Sequence, residues 1–316
     1  MKKFSIYILA LALPIPIIIG VNLALDSDGL INESYLDEFV EELDKNDIAI
    51  SGPIPERRIV KKRIRNKTGE HFNKIVIGSS RTLLFGIPIN QNVFNASVAG
   101  GGYGDYVEII RLIEEHNITY DTIVLCGDPW LLDKNYTMPD YLEFETPVLG
   151  KLIKSMISWK YFITNLTPGK YNSWDGNEMD FIRYKDGSIR NHISTRTEKT
   201  SAKKLINADI IGVMRSFSNI DSTHLHEFIN FLNKISGNTL VELLLLPYHP
   251  LTYNSIINES RFIEEIEQIF YSFSGNNIKV FGSFNPTNID FKEEDFYDAV
   301  HLTENGLTKF YSLIKD

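Results

Sequence analysis

A single cysteine, Cys126, in 316 residues excludes any intrachain disulfide. Stability must therefore come from a packed core rather than from covalent staples. Cys126 ends the apolar run that begins at Thr122 and reads as a small buried hydrophobe, not a reactive thiol. Metal-binding patterns are equally scarce. There is no Cys cluster, no His-Glu-x-x-His and no calcium loop. His224 and His226 are two residues apart, a spacing that sends imidazoles to different faces of a helix. No metal or cofactor is expected. Basic tracts are missing outside Arg57 to Arg65, and 32 basic against 41 acidic residues leave a formal charge of −9. Nucleic-acid partners require a basic footprint, so they are excluded.

Charge is absent from one stretch altogether. Lys2 and Lys3 precede Phe4 to Leu25, an uncharged run of 22 residues. About 20 apolar residues span a bilayer core, and signal-peptide cores are shorter. The run has no convincing small-x-small cleavage site and no lipobox cysteine, so residues 1–25 read as an uncleaved, single-pass anchor. The flanking lysines place the N-terminus in the cytoplasm and the rest of the chain outside. Residues 26–71 read as a juxtamembrane helix and linker. Tyr35, Phe39, Val40 and Leu43 have amphipathic spacing, and Gly52-Pro53-Ile54-Pro55 breaks the chain. The basic stretch from Glu56 to Lys74 reads as a solvated linker or surface helix, with lipid headgroups or an anionic polymer as its alternative partner.

The hydrophobic share of 43% supports a sizeable core, and residues 72–316 show the alternation that organises it. Strands are predicted at 74–77, 92–98, 122–126, 240–246 and 278–281. Helices are predicted at 105–116, 223–235 and 261–273, with a last one capped by Thr303. Such alternation predicts an α/β fold, a parallel sheet with helices on both faces. The stretch at about 131–208 is too long for a strand-to-helix connection and reads as an insertion with helices of its own, a candidate lid.

In an open parallel sheet, reactive groups gather at the carboxyl ends of the strands. Ser79-Ser80 follows the first predicted strand, Gly100-Gly101-Gly102 the second, Gly127-Asp128-Pro129-Trp130 the third and Pro247-Tyr248-His249-Pro250 the fourth. Asp298-Ala299-Val300-His301 follows the fifth. A histidine needs a carboxylate to fix its tautomer, and a serine needs the histidine as base, because a free hydroxyl is a poor nucleophile at neutral pH. The combination points to the chemistry of acyl groups. The Gly-x-Ser-x-Gly elbow is absent, since position 82 is Thr82, which argues against an α/β-hydrolase fold.

Three blocks resemble the SGNH, or GDSL-type, hydrolase superfamily. Gly78-Ser79-Ser80 is similar to its Gly-Asp-Ser block, with Ser79 in place of the usual Asp. Asn95 to Gly100 is similar to its Asn-and-Gly block, and Asp298-Ala299-Val300-His301 to its Asp-x-x-His block. The resemblance implies a three-layer α/β/α fold with a flavodoxin-like parallel sheet. It also implies Ser80 as nucleophile, His301 as base, Asp298 as orienting acid, and the amides of Ser80 and Gly100 as oxyanion hole. Arg81, Asp128, Trp130 and His249, at neighbouring strand ends, are candidate substrate-binding residues. Arg81 and Asp128 also suit an ion pair, and Trp130, Trp159, Trp174 and Tyr248 suit core packing.

The third block departs from the family, which carries Gly-x-Asn-Asp where this chain has Gly127-Asp128-Pro129-Trp130. An ionised carboxylate cannot donate to an oxyanion, and losing one such donor costs ~100-fold or more in rate. An altered third block behind an anchor resembles membrane-tethered SGNH proteins that modify envelope polymers, such as the D-alanylation and alginate O-acetylation groups. That implies an esterase or O-acyltransferase acting on an envelope polysaccharide or acyl donor, with a membrane-bound O-acyltransferase as partner. The alternative is a non-catalytic glycan-binding or assembly protein that retains the fold.

Overall fold

The computed structural model describes residues 14–26, 34–51, 54–86, 92–135, 153, 156–166, 170–173, 181–190, 210, 212–213, 217–237 and 239–315. Five strands form a parallel sheet: β2 (His71–Ile77), β3 (Val93–Asn95), β4 (Thr119–Cys126), β8 (Leu240–Leu245) and β9 (Ile278–Gly282). Their spatial order is β3-β2-β4-β8-β9. The chain crosses itself between β2 and β4, the kind of switch point at which open sheets leave a crevice above the strand ends.

Strand alternation sends side chains to both faces of the sheet. Ile75, Ile77, Ile123, Leu125, Leu243 and Leu245 join one core cluster, which α4 (Tyr103–Glu115), α6 (Ser222–Ser236), α7 (Pro250–Glu259) and α8 (Phe262–Ser272) cover. Val76, Val124, Cys126 and Leu244 join the other, closed by Leu307, Phe310 and Tyr311 of α9 (Glu304–Lys315). The mixed α/β fold with a helix-flanked parallel sheet therefore matches the alternation in the sequence. Cys126 is a buried free thiol, and burial pushes its pKa up.

A second sheet was not legible in the sequence. Strand β1 (Ile48–Ser51) pairs antiparallel with β5 (Lys170–Ser173) on one side and β6 (Phe181–Arg183) on the other, and β7 (Ile189–Arg190) extends β6. Residues expected to form separate linker and insertion segments are thus one sheet. Leu36, Phe39, Val40 and Leu43 of α2 (Ser34–Lys45) pack with Ile48, Ile50 and Ile59 in a third cluster.

The basic stretch, expected as a solvated linker or surface helix, begins as a helix that is less solvated than its charge suggests. This is α3 (Glu56–Asn66), which buries Ile59, Val60 and Ile64 together with most of Lys62 and the whole Arg63 side chain. Long basic side chains can cover apolar surface with their methylenes, and charge counting misses this. Of the predicted anchor, the structure describes α1 (Pro14–Leu25); residues 1–13 lie outside the described residues. Among the described residues no helix is long and apolar enough to cross a membrane. Trp174 and much of the expected insertion also lie outside the described residues.

Candidate active site

Four strand ends and one loop build the site. After β2 the chain enters a single 3-10 turn, Ser80–Thr82, capped by Ser79, whose Oγ accepts the Arg81 amide at 3.3 Å. The Thr82 amide and hydroxyl both donate to the Ser79 carbonyl, each at 3.1 Å. Asn95, at the end of β3, donates to the carbonyls of Thr82 and Leu83 at 2.9 and 3.2 Å. Ser79 is thus buried as a cap, and Ser80 is left facing outward.

Across the crevice, the Asp-x-x-His spacing makes its own turn. Asp298 Oδ1 accepts the amides of Val300 at 2.9 Å and His301 at 2.7 Å. Its other oxygen, Oδ2, lies 2.7 Å from His301 Nδ1, and His301 Nε2 lies 2.8 Å from Ser80 Oγ. A carboxylate only accepts, so Nδ1 carries the proton and Nε2 of the neutral ring accepts from the serine hydroxyl. Burial works against the charge of Asp298, but the His301 ring and the two amides outweigh it and hold its pKa below the usual 3.8. The ring of Tyr297 stacks on His301, with centroids 5.4 Å apart and planes 6° from parallel. Burial raises the Tyr297 pKa, so the phenol stays neutral.

Beneath these groups lies a second polar network. Arg81 is 4% exposed and Asp128 fully buried. Arg81 Nη1 donates to Asp128 Oδ1 at 3.0 Å, Nη2 to the carbonyls of Leu246 and Pro247, and Nε to the Val300 carbonyl at 3.3 Å. Its guanidinium also lies over the Tyr248 ring, 4.3 Å from the centroid. One side chain thereby ties the ends of β2, β4 and β8 to the loop that carries His301.

Among the four candidate substrate-binding residues, Arg81 and Asp128 make the ion pair that their types suit. Both face inward and pair with each other, because an unpaired charge at a buried strand end is costly, with Asp128 Oδ2 left without a hydrogen bond. His249 is 1% exposed and caps α7, its Nδ1 accepting the Leu251 amide at 3.2 Å. Burial lowers its pKa, opposed by the charges of Glu293 and Asp298. Trp130 is partly exposed and packs on the core, with its indole N–H committed to the Gly101 carbonyl at 3.2 Å. Each of the first three is almost wholly buried and spends polar atoms on protein partners. The core-packing expectation for tryptophan also fails at Trp159, which is 61% exposed.

Gly100 and Gly101 follow β3 in a tight turn against the end of β2. Gly100 has φ +62°, a conformation glycine adopts without penalty. A Cβ on Gly101 would lie 2.4 Å from the Gly78 carbonyl, so the loop approaches the end of β2 at a distance only glycine permits.

Two residues that the sequence did not single out hold this loop. Glu56 Oε2 accepts the Ala99 amide at 2.6 Å. Arg57 makes a two-pronged pair with Asp105 at 2.7 and 2.9 Å and also donates to the Ala99 carbonyl at 3.4 Å. Asp105 in turn accepts the Gly102 amide at 3.0 Å. Nothing local in Glu56-Arg57 signals a partner some forty residues away, whereas the stacked Tyr297 was at least marked by its place beside Asp298. The hairpin of β6 and β7 closes the far side, with the Ile189 amide donating to the Leu83 carbonyl at 2.8 Å and Ser188 Oγ accepting the Gly86 amide at 2.9 Å. Among the described residues no group of His, Cys, Asp or Glu is arranged to hold a metal ion.

No protein-family model and no curated protein matches the chain. Among solved structures it is similar to a Streptococcus pneumonia chain provisionally described as a platelet activating factor. The identity is 12%, the match covers 83% of this chain and 92% of that one, and the TM-score is 0.41.

Proposed function

We propose that the chain is a serine-dependent acyl-ester hydrolase or O-acyltransferase of SGNH type. One observation carries the reading: Ser80 Oγ, His301 and Asp298 form an unbroken chain of hydrogen bonds of 2.8 and 2.7 Å at the mouth of the crevice. In the proposed reaction His301 Nε2 takes the proton of Ser80 Oγ as that oxygen attacks the ester carbonyl. Asp298 stabilises the imidazolium that forms. The Ser80 amide donates to the oxyanion, with Gly100 as the second donor that the family resemblance implies. His301 then returns the proton to the leaving alkoxide, and the acyl group on Ser80 passes to water or to a sugar hydroxyl. The substrate we assign is an acyl ester on an envelope glycan, with the N-terminal run as single-pass anchor and a membrane-bound O-acyltransferase as partner.

Hydrolysis of a small acetyl ester, together with fluorophosphonate labelling of Ser80, tests this reading. Labelling that disappears in Ser80→Ala and His301→Ala is the expected result. An unlabelled wild-type protein with no ester turnover would favour the second reading, a glycan-binding or assembly protein on the same fold. That reading draws on the third block, where Asp128 is consumed by Arg81 and the Trp130 N–H by Gly101.

A further inference from the structure

Exposed apolar side chains are unevenly spread over the molecule. Of thirteen large hydrophobic residues exposed among the described ones, nine belong to α1 or to the stretch from Ile153 to the end of α5 (Trp159–Leu166). On α5, Trp159, Ile163 and Leu166 recur at i, i+4 and i+7 and make one outward stripe. The opposite stripe, Tyr161 and Asn165, is buried against α1.

Polar bonds hold the two helices together. Asn22, fully buried on the otherwise apolar α1, donates to the carbonyls of Met156 at 2.9 Å and Ser158 at 3.2 Å. Its own carbonyl oxygen accepts from Asn165 at 3.0 Å, and Tyr161 donates to Asp26 at 2.7 Å. An asparagine turned from a hydrophobic helix toward a neighbouring one is the glue expected between helices in an apolar medium. On α1, Ile15, Ile17, Leu23 and Leu25 are exposed as well.

We infer that α5, with Ile153 and Ile157 before it, forms a second membrane-contacting element, lying along the end of the N-terminal helix at the headgroup–acyl boundary. The inference rests on the reading of residues 4–25 as an anchor. Lipid is the occupant that the surrounding sequence and surface favour. The stripe belongs to a helix that packs against α1, whose sequence runs uncharged back to Phe4. Trp159, stacked on Phe162 with centroids 5.0 Å apart, is an amphipathic aromatic of the kind that collects at membrane interfaces. Within this acidic chain the sequence from Lys151 to Lys160 carries three lysines and no acid, a local charge that suits anionic headgroups.

Full-length protein reconstituted in phosphatidylglycerol–phosphatidylethanolamine vesicles tests this. Single cysteines at Ile163→Cys, Ile17→Cys and the exposed Lys279→Cys would each carry an environment-sensitive fluorophore, with buried Cys126 left in place. Doxyl-labelled lipid should remove most of the emission at positions 17 and 163 and leave that at 279 unchanged. Quenching at 17 but not at 163 overturns the inference and leaves the anchor standing. Quenching at neither overturns both. A blue-shifted label at 163 that doxyl lipid does not reach means that protein, such as a second copy, covers the stripe, and this also overturns it.

Discussion

Two networks of charged side chains meet at the same strand ends and differ in one respect, access. Ser80, His301 and Asp298 line the crevice, with 20% of the His301 side chain and 14% of that of Asp298 exposed. Arg81 and Asp128, next to Ser80 and Gly127 in sequence, are sealed beneath them. In the outer network a proton can move between groups and a substrate can reach the oxygen that loses it. In the inner one a buried ion pair fixes four chain segments relative to one another. Residue type alone would rank Arg81 and Asp128 as the more obvious ligand binders; burial reverses that ranking.

The comparison breaks if the two networks fail in the same way. Ser80→Ala and Asp298→Asn should each lower kcat for ester turnover by ~10^4-fold or more, with urea unfolding of Ser80→Ala matching wild type. A large loss of stability in Ser80→Ala would erase the distinction. Asp128→Ala should do the reverse of Ser80→Ala and lower stability by about 3–5 kcal/mol, because it strands the buried Arg81 charge. Chemical denaturation followed by circular dichroism measures it.

Smaller effects sharpen the contrast. Glu56→Ala should lower kcat roughly 10- to 100-fold with little change in KM, since it frees the Ala99–Gly100 turn to shift against the end of β2, which leads into the reacting serine. Glu56→Gln should restore most of the rate, because its amide oxygen still accepts the Ala99 amide. Steady-state kinetics of the pair decides whether Glu56 positions the loop or merely supports the fold. The smallest effect belongs to His249, whose folded pKa lies below its ordinary 6.5. The unfolded chain then binds the proton more readily, so stability falls as pH drops below 6.5 and levels off once the folded pKa is passed. The slope is at most ~1.4 kcal/mol per pH unit. In His249→Asn, which keeps a capping oxygen but cannot titrate, unfolding curves across this window should lie closer together.

Much of the main sheet could be read because its strands are nearly continuous apolar runs, as at Leu240 to Leu245. Edges were less legible: the predicted second strand shrinks to Val93–Asn95, since an edge strand needs only a short pairing. The β1–β5–β6–β7 sheet escaped notice because its strands are two to four residues long and come from distant parts of the chain. Such pairings leave no periodicity in a sequence window. Glu56 and Arg57 were hidden for a similar reason, since a charged pair after a proline break looks like any solvated helix start.

What the sequence determined by itself was local. The spacing of Asp298 and His301 suffices to fold the carboxylate back onto two amides and one ring nitrogen, because all the partners lie within four residues. The lone Cys126 left a hydrophobic core as the source of stability. Tertiary structure decided which serine meets the histidine 221 positions away, since both Ser79 and Ser80 follow the strand and only the capped turn chooses between them. It also decided that Arg81, Asp128 and His249 turn inward, because the cost of an unpaired polar group depends on burial, and burial is fixed only when the sheet is assembled.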